Sequence, residues 1–156
     1  MEIRLICLGK TSEKHVEQGV EMYVKRLKHY VKFSVLYLSH PKLKGNLNWD
    51  DIKAAEAEIF FSELGNEPFI LLDEKGQEFT SIAFAKFLQS QFNKGGKRLN
   101  FLIGGAFGFS KEIHQKSKGQ IALSQLTFSH QLVRLIAMEQ FYRAMTIIKG
   151  EKYHHK

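Results

Sequence analysis

The sequence predicts an α/β fold, a parallel-type sheet with helices on both faces. Three observations carry that prediction. Short apolar runs recur along the chain, at residues 3–8, 33–38, 69–72, 99–103 and 121–123. Between them lie segments whose apolar residues return at helical spacing. The runs are close to continuously apolar rather than cleanly alternating, as strands covered on both faces must be.

Residues 3–8 (IRLICL) open the sheet. Thr11 or Ser12 can cap the following helix, in which Val16, Val20, Tyr23, Val24 and Leu27 fall on one side. Residues 33–38 form the second strand, ended by Pro41. A polar loop then leads to Asp50 or Asp51, the expected cap of a helix that passes Ile59 and Leu64 and is closed by Gly65. Residues 69–72, between Pro68 and Asp73, make a short third strand, and DEKGQEFTS reads as a turn. Ser81 caps a helix carrying Ile82, Phe84, Phe87, Leu88 and Phe92, whose rings belong to the core rather than to an RNA-stacking surface. Residues 99–103 form the fourth strand. A short polar helix starts near Ser110, and residues 121–123 form a fifth strand before a long last helix, 131–149.

At 156 residues the chain suits one domain, 1–156, with a substantial core and no repeat, linker or low-complexity tract. Its 23 basic and 16 acidic residues give a formal charge of +7. The excess is concentrated in residues 24–44, where Lys25, Arg26, Lys28, Lys32, Lys42 and Lys44 occur without an acid. Such a stretch attracts polyanions, nucleic acid first, unless it is only a solvated helix end. No apolar run approaches a membrane span and no signal-peptide pattern opens the chain, so a soluble, cytoplasmic protein with no membrane partner is expected. Cys7, the single cysteine, lies within the first apolar run, where an inert buried thiol is expected and a disulfide or cysteine-based zinc site is excluded.

Ligands in parallel sheets bind beyond the carboxyl ends of the strands. Three such ends stand out: Leu72 with Asp73, Gly104 with Gly105, and residues 123–128. The glycines let a ligand approach the backbone, although adjacent Gly104 and Gly105 do not make a GxGxxG fingerprint. The last helix has apolar residues in every quadrant, including Leu132, Val133, Leu135, Ile136, Phe141 and Ile147. A helix of this kind is buried on more than one side. That points to a subunit interface and a site completed by dimerisation.

Four segments together resemble the RlmH family of small SPOUT-type RNA methyltransferases: Leu71-Leu72-Asp73 with Gly76 following, FLIGGAFGFS, LSQLTFSHQLVR and EQFYRAMTIIKGEKYHHK. The likeness spans nearly the whole chain in length and order, and the YHHK ending with the IGGxxGxS segment is its most specific part. Ser129 stands where many relatives have proline, so the loop entering the last helix is expected to be less rigid. The resemblance implies an α/β knot with a trefoil in the C-terminal part, a homodimer, and S-adenosyl-L-methionine (SAM) as methyl donor with no metal. It also implies N3 of a pseudouridine in 23S ribosomal RNA as the target, methylated on the assembled 70S ribosome. Carried over by position, the cofactor pocket comprises Leu72, Gly104, Leu123, Ser124, Gln125, Leu126, Thr127 and Phe128. Leu72, Leu126 and Phe128 would wall an adenine while loop backbone meets its edge.

The catalytic candidates are Arg134, Glu139, Arg143, Tyr153, His154 and His155. Arg134 falls on an apolar stripe with Met138, Phe141 and Met145, so it is expected to meet an acid, a phosphate or a partner's group unless it snorkels. Glu139 and Arg143, four residues apart, suit an ordinary helix ion pair or a functional one. His130 serves as a cap or packing residue, or as a catalytic one. Tyr153, His154 and His155 read as a substrate-binding tail in preference to a metal site or a frayed end. Methyl transfer to an imide needs alignment, a cation for the developing anion (Arg134 or Arg143) and a proton acceptor (His154, His155 or Glu139). Two rivals remain within reach of the residues: a methyltransferase for another RNA such as tRNA, and a SAM- or RNA-binding module without turnover. A flavodoxin-like carrier fits poorly, since residues 8–11 are too sparse for a phosphate loop.

Overall fold

The computed structural model describes residues 1–155. Among these, five strands form one parallel sheet: β1 (Glu2–Leu8), β2 (Lys32–Leu38), β3 (Phe69–Glu78), β4 (Arg98–Ile103) and β5 (Gln120–Ala122). Their spatial order is β2-β1-β4-β3-β5. The helices α1 (Lys14–Leu27), α2 (Trp49–Leu64), α3 (Ser81–Lys94), α4 (Lys111–Lys116) and α5 (Leu132–Ile148) cover both faces.

Side chains alternate across the sheet. Ile3, Leu5 and Cys7 of β1, with Ile70, Phe101 and Ile103, face α1, α3 and α5. Ile6 and Leu8, with Leu71 and Leu102, face α2 and α4. The first core centres on Phe141 of α5, whose ring lies 4.8 Å from Phe101, 5.4 Å from Phe33 and 5.8 Å from Phe84. Phe84, Phe87 and Phe92 pack into this core as expected. Cys7 is fully buried, and burial pushes its thiol up to about 12.

The strands and helices follow the sequence closely, but several local expectations fail. Neither Thr11 nor Ser12 caps α1, which begins at Lys14 after Glu13. Their polar groups make long-range ties instead: Thr11 Oγ1 accepts from Arg134, and the Ser12 N–H donates to Gln131. The cap of α2 is Asn48, which forms a reciprocal capping box with Asp51. Thr80, not Ser81, caps α3. Lys25, Arg26, Lys28 and Lys32 lie at the amino edge of β2, whereas Lys42 and Lys44 follow its carboxyl end. A seven-residue strand, roughly 20 Å long, therefore divides the basic stretch into two groups.

The expected turn after Leu72 is instead part of β3. Leu71 and Leu72 pair with Gln120 and Ile121, and Gln77 and Glu78 then pair with Ile121 and Ala122 across a register shift. The intervening residues bulge out of the ladder. Gly76 is needed there because a Cβ would come within 2.6 Å of the Gln120 and Ile121 backbone.

The apolar circumference of α5 is explained largely inside the chain. The helix lies on the sheet and packs against both α1 and α3. Phe141, expected from its place on this helix to meet a partner, is 1% exposed and belongs to the chain's own core. Leu132, Ile136, Glu139 and Arg143 lie opposite the buried stripe, and of these Leu132 is the most open.

Candidate active site

At the carboxyl end of β4, beside the bulge of β3, lies a cleft of about 740 Å³, a volume suited to a small-molecule ligand. Three stretches build it: Leu72 to Lys75 from the β3 bulge, residues 103–109 after β4, and the loop from β5 into α5. Of the residues carried over as a cofactor pocket, Leu72, Gly104, Leu123, Ser124, Leu126, Thr127 and Phe128 line this cleft. Gln125 turns away, its side chain donating to Glu78 at 3.2 Å. The loop is held by the Leu126 N–H bonding Ser124 Oγ at 3.0 Å and by a Thr127 hydroxyl bond to Glu74. Leu126 itself projects outward, 76% exposed, so it forms a lip of the cleft rather than a closed wall. A Cβ at Gly104 would press on the Phe109 ring at 3.2 Å, so the bare backbone here accommodates that ring as well as a ligand.

Arg134 departs most clearly from expectation. It is only 2% exposed, yet no acid among the described residues pairs with it. Its Nε donates to the His130 carbonyl at 3.0 Å, one Nη to Thr11 Oγ1 at 3.1 Å and the other to the Leu8 carbonyl at 2.7 Å. The Tyr37 ring lies 5.7 Å from its guanidinium carbon. Neutral oxygens and an aromatic ring thus satisfy the cation. Their effect is to pin the start of α5, and with it His130 on the cleft wall, to the end of β1. His130 itself is exposed there and its carbonyl, not its ring, makes the bond to Arg134.

The remaining candidates form a second cluster. Arg143 donates to Glu139 at 2.6 Å and lies 3.4 Å from His154 Nδ1, with its guanidinium over the Tyr153 ring at 4.8 Å. Tyr153 donates to the same Glu139 oxygen at 3.2 Å, and Gln140 donates to the other at 2.6 Å. Burial, the Tyr23 hydroxyl and the Glu139 carboxylate push the Tyr153 hydroxyl up to about 12, so it remains protonated at neutral pH. The Glu139 hydrogen bond and charge raise Arg143 above its ordinary value. The tail is anchored by Glu151, which accepts from Tyr30 at 2.6 Å. His155 is exposed, and Lys156, the end of the YHHK signature, lies outside the described residues.

The cluster and the cleft do not meet within one chain. Val133 is the last α5 residue on the cleft wall, and Arg143 is ten residues further along, about 15 Å of helix rise. The cleft stands at the carboxyl end of the sheet, while the tail lies at the opposite end beside the basic end of α1, where Arg26 packs over Tyr142.

Sequence reading missed two features here. Glu56 of α2 is 7% exposed and lies against Gly105, but in the sequence it is one of two acids in AAEAEIFF. Trp49 and Phe107 stack at the cleft rim with centroids 5.1 Å apart, although 58 positions separate them in the chain (107 − 49).

A family profile described as a predicted SPOUT methyltransferase matches residues 1–154. A relative from Cytophaga hutchinsonii is 47% identical over 156 residues, covering 99% of this chain and 100% of its own length. Relatives from Christiangramia forsetii and Flavobacterium psychrophilum are each 45% identical, with both chains fully covered. All three bear the name ribosomal RNA large subunit methyltransferase H. No described helix is long and apolar enough to cross a membrane. With a profile match across nearly every residue, and a parallel sheet whose strand ends form a ligand-sized cleft, the chain belongs to the SPOUT methyltransferase family.

Proposed function

We propose that this protein is a cytoplasmic homodimer that transfers a methyl group from SAM to N3 of a pseudouridine in 23S ribosomal RNA, on the assembled ribosome. The observation that carries the reading is the separation of cleft and tail along α5. A chain that holds a ligand cleft at one end of the helix and a Tyr-Arg-Glu-His cluster at the other needs a second copy to bring them together. Packing across the outward strip of α5, with the two helices running in opposing senses, would lay one protomer's tail over its partner's cleft. The exposed, apolar Leu132 and the half-buried Ile136 support such a contact. The family's knotted threading belongs to the same reading. β5 adds to the outer side of β3, yet α5 returns beneath β1 and β4 to pack on α1 and α3.

SAM fits the cleft by chemistry: apolar Leu72 and Phe128 for the adenine, loop backbone for its edge, and a bare turn at residues 104–105. It supplies an activated methyl group whose sulfur leaves as a neutral thioether. This chain's residues then have three tasks: to align the imide nitrogen, to stabilise its anion and to take up its proton. Arg143 suits the second task better than Arg134, whose three bonded nitrogens are committed to internal acceptors. Glu139 fixes Arg143 and Tyr153 in place while accepting three hydrogen bonds, which leaves the imidazoles of His154 and His155 as better proton acceptors. Lys25 and Lys28, exposed on the same end of the molecule as the tail, suit the surrounding phosphates.

Mixed dimers test the sharing of the site. A Gly104→Val protomer and a Tyr153→Ala, His154→Ala protomer, each inactive alone, should regain labelled methyl transfer to 70S ribosomes when combined. No recovery in verified mixed dimers would mean that each chain works alone. Comparing free 23S RNA, subunits and ribosomes as acceptors decides the substrate.

A further inference from the structure

Behind the turn at residues 104–105 is a second cavity, of about 240 Å³. It shares residues 104–107 and His130 with the cleft, and is otherwise walled by Leu8, His40, Pro41, Leu43, Ile52 and Glu56. Glu56 is the one acid in that wall. A carboxylate buried to this degree is normally met by donors. Glu67, just beyond α2, shows the usual arrangement, accepting from Arg4 at 2.9 Å, Arg98 at 2.9 Å and Asn100 at 3.1 Å. Glu56 has no hydrogen-bond or ion-pair partner among the described residues, although it is 7% exposed. Burial accordingly pushes its carboxyl above the ordinary value. Its two oxygens lie so close to Gly105 that a Cβ there would strike both, so the carboxylate looks onto bare backbone at the boundary between the two cavities.

We propose that Glu56 receives the α-ammonium of SAM, and that the second cavity holds the methionine limb while the larger cleft holds the adenosine. The inference rests on the SAM reading above and deepens it. The argument is one of matched chemistry. With no protein donor bonding it, the Glu56 carboxylate opens onto the cavity, where a group that is both cationic and a hydrogen-bond donor repays more of its burial than a neutral one. In SAM the adenine and ribose are neutral, and the sulfonium is cationic but carries no N–H or O–H. The α-ammonium has three donors. A pseudouridine base offers N–H donors but no positive charge, so it repays less of the burial. The position agrees as well. A ligand whose adenosine sits between Leu72 and residues 123–128 must extend past Gly104 and Gly105 to place its limb, and these residues form the wall common to both cavities.

The test compares two ligands that differ in the limb. S-adenosylhomocysteine keeps the ammonium, whereas methylthioadenosine has the adenosine and thioether without the amino-acid limb. Titration calorimetry on the parent protein and on Glu56→Gln should show S-adenosylhomocysteine weakened about 10- to 100-fold and methylthioadenosine changed by less than about twofold. Gly105→Ala, which displaces the carboxylate without removing it, should also weaken S-adenosylhomocysteine. Retained methylthioadenosine affinity in Glu56→Gln doubles as proof that this variant is folded around an intact cleft. Unchanged S-adenosylhomocysteine affinity in Glu56→Gln, or an equal loss for both ligands, overturns the assignment. If neither ligand binds the parent protein, the SAM reading itself fails and takes this one with it.

Discussion

Arg134→Ala tests whether this buried cation shapes the cleft or acts on the substrate. The side chain makes three charged hydrogen bonds, at 2.7, 3.0 and 3.1 Å. At about 1.5–3 kcal/mol apiece they would sum to roughly 5–9 kcal/mol if independent. They are not independent, and the guanidinium also bears a desolvation cost of several kcal/mol that the variant escapes. The variant in turn leaves the Leu8 carbonyl without this donor and opens a hole under Tyr37. A net loss of about 2–4 kcal/mol is expected. For a chain of this size each kcal/mol shifts the melting temperature by about 2–4 °C, so the midpoint should fall by about 4–16 °C. Thermal unfolding, with urea unfolding to confirm an unchanged slope, reads the stability. Calorimetry with S-adenosylhomocysteine reads the cleft, whose His130 wall should loosen. A midpoint within about 2 °C of the parent would refute the assignment of Arg134 as a tie between β1 and α5. Normal stability and cofactor affinity with lost methyl transfer would restore it as a cation acting on the imide.

Ile136→Glu should give a folded monomer that binds S-adenosylhomocysteine but does not methylate ribosomes, as read by light scattering and labelled transfer; a fully active monomer would refute the shared site. Phe141→Glu should instead fail to fold, because that residue is in the chain's own core. Arg143→Gln should lower single-turnover transfer by about 10²- to 10³-fold, the range found for removing one donor to a developing anion, with S-adenosylhomocysteine affinity nearly unchanged. Lys25→Glu with Lys28→Glu should weaken ribosome binding and flatten its salt dependence by about two counterions; the same slope in the variant would make this surface merely solvated. Glu56 titrates above its ordinary 4.5 in the folded chain. The native state therefore binds more protons than the unfolded one, and the destabilisation from Glu56 grows as pH rises above about 4.5. Glu56→Gln should thus melt higher than the parent at pH 7 and lose that advantage near pH 4; a higher midpoint at both values would mean a packing effect instead.

Strand positions were legible because burial on two faces leaves runs such as LLD and FLIGG nothing else to become. Caps were less so. Thr11 has the chemistry of a cap, but its hydroxyl serves Arg134, 123 residues away, and local sequence carries no sign of that partner. The extension of β3 through Gly76 was hidden for a similar reason, since a Gly between charged residues reads as a turn until β5 is laid beside it. Arg4 sits unremarked inside an apolar strand, yet it bonds Asn100 at 2.7 Å and Glu63 and Glu67 at 2.9 Å each. The cleft-lining stretches were visible as strand ends. Glu56 was not, because what sets it apart is the lack of a partner in space, which no spacing along the chain encodes.

The tie between Leu8 and Arg134 spans 126 residues, and its consequence concerns how the enzyme comes into being. A nascent chain emerges amino end first, so β1 waits through the synthesis of nearly every other element before its partner arrives. Until then Phe33, Phe84 and Phe101 have no Phe141 to cover them, and the face that α5 will occupy stays sticky. Any intermediate that stops short of residue 132 should need a chaperone, and it should be blind to the methyl donor because His130 and Val133 are not yet in place. Activity therefore switches on late and all at once, with the docking of a single helix. A protein whose proposed target is the ribosome would thus leave its own ribosome before it could act on another.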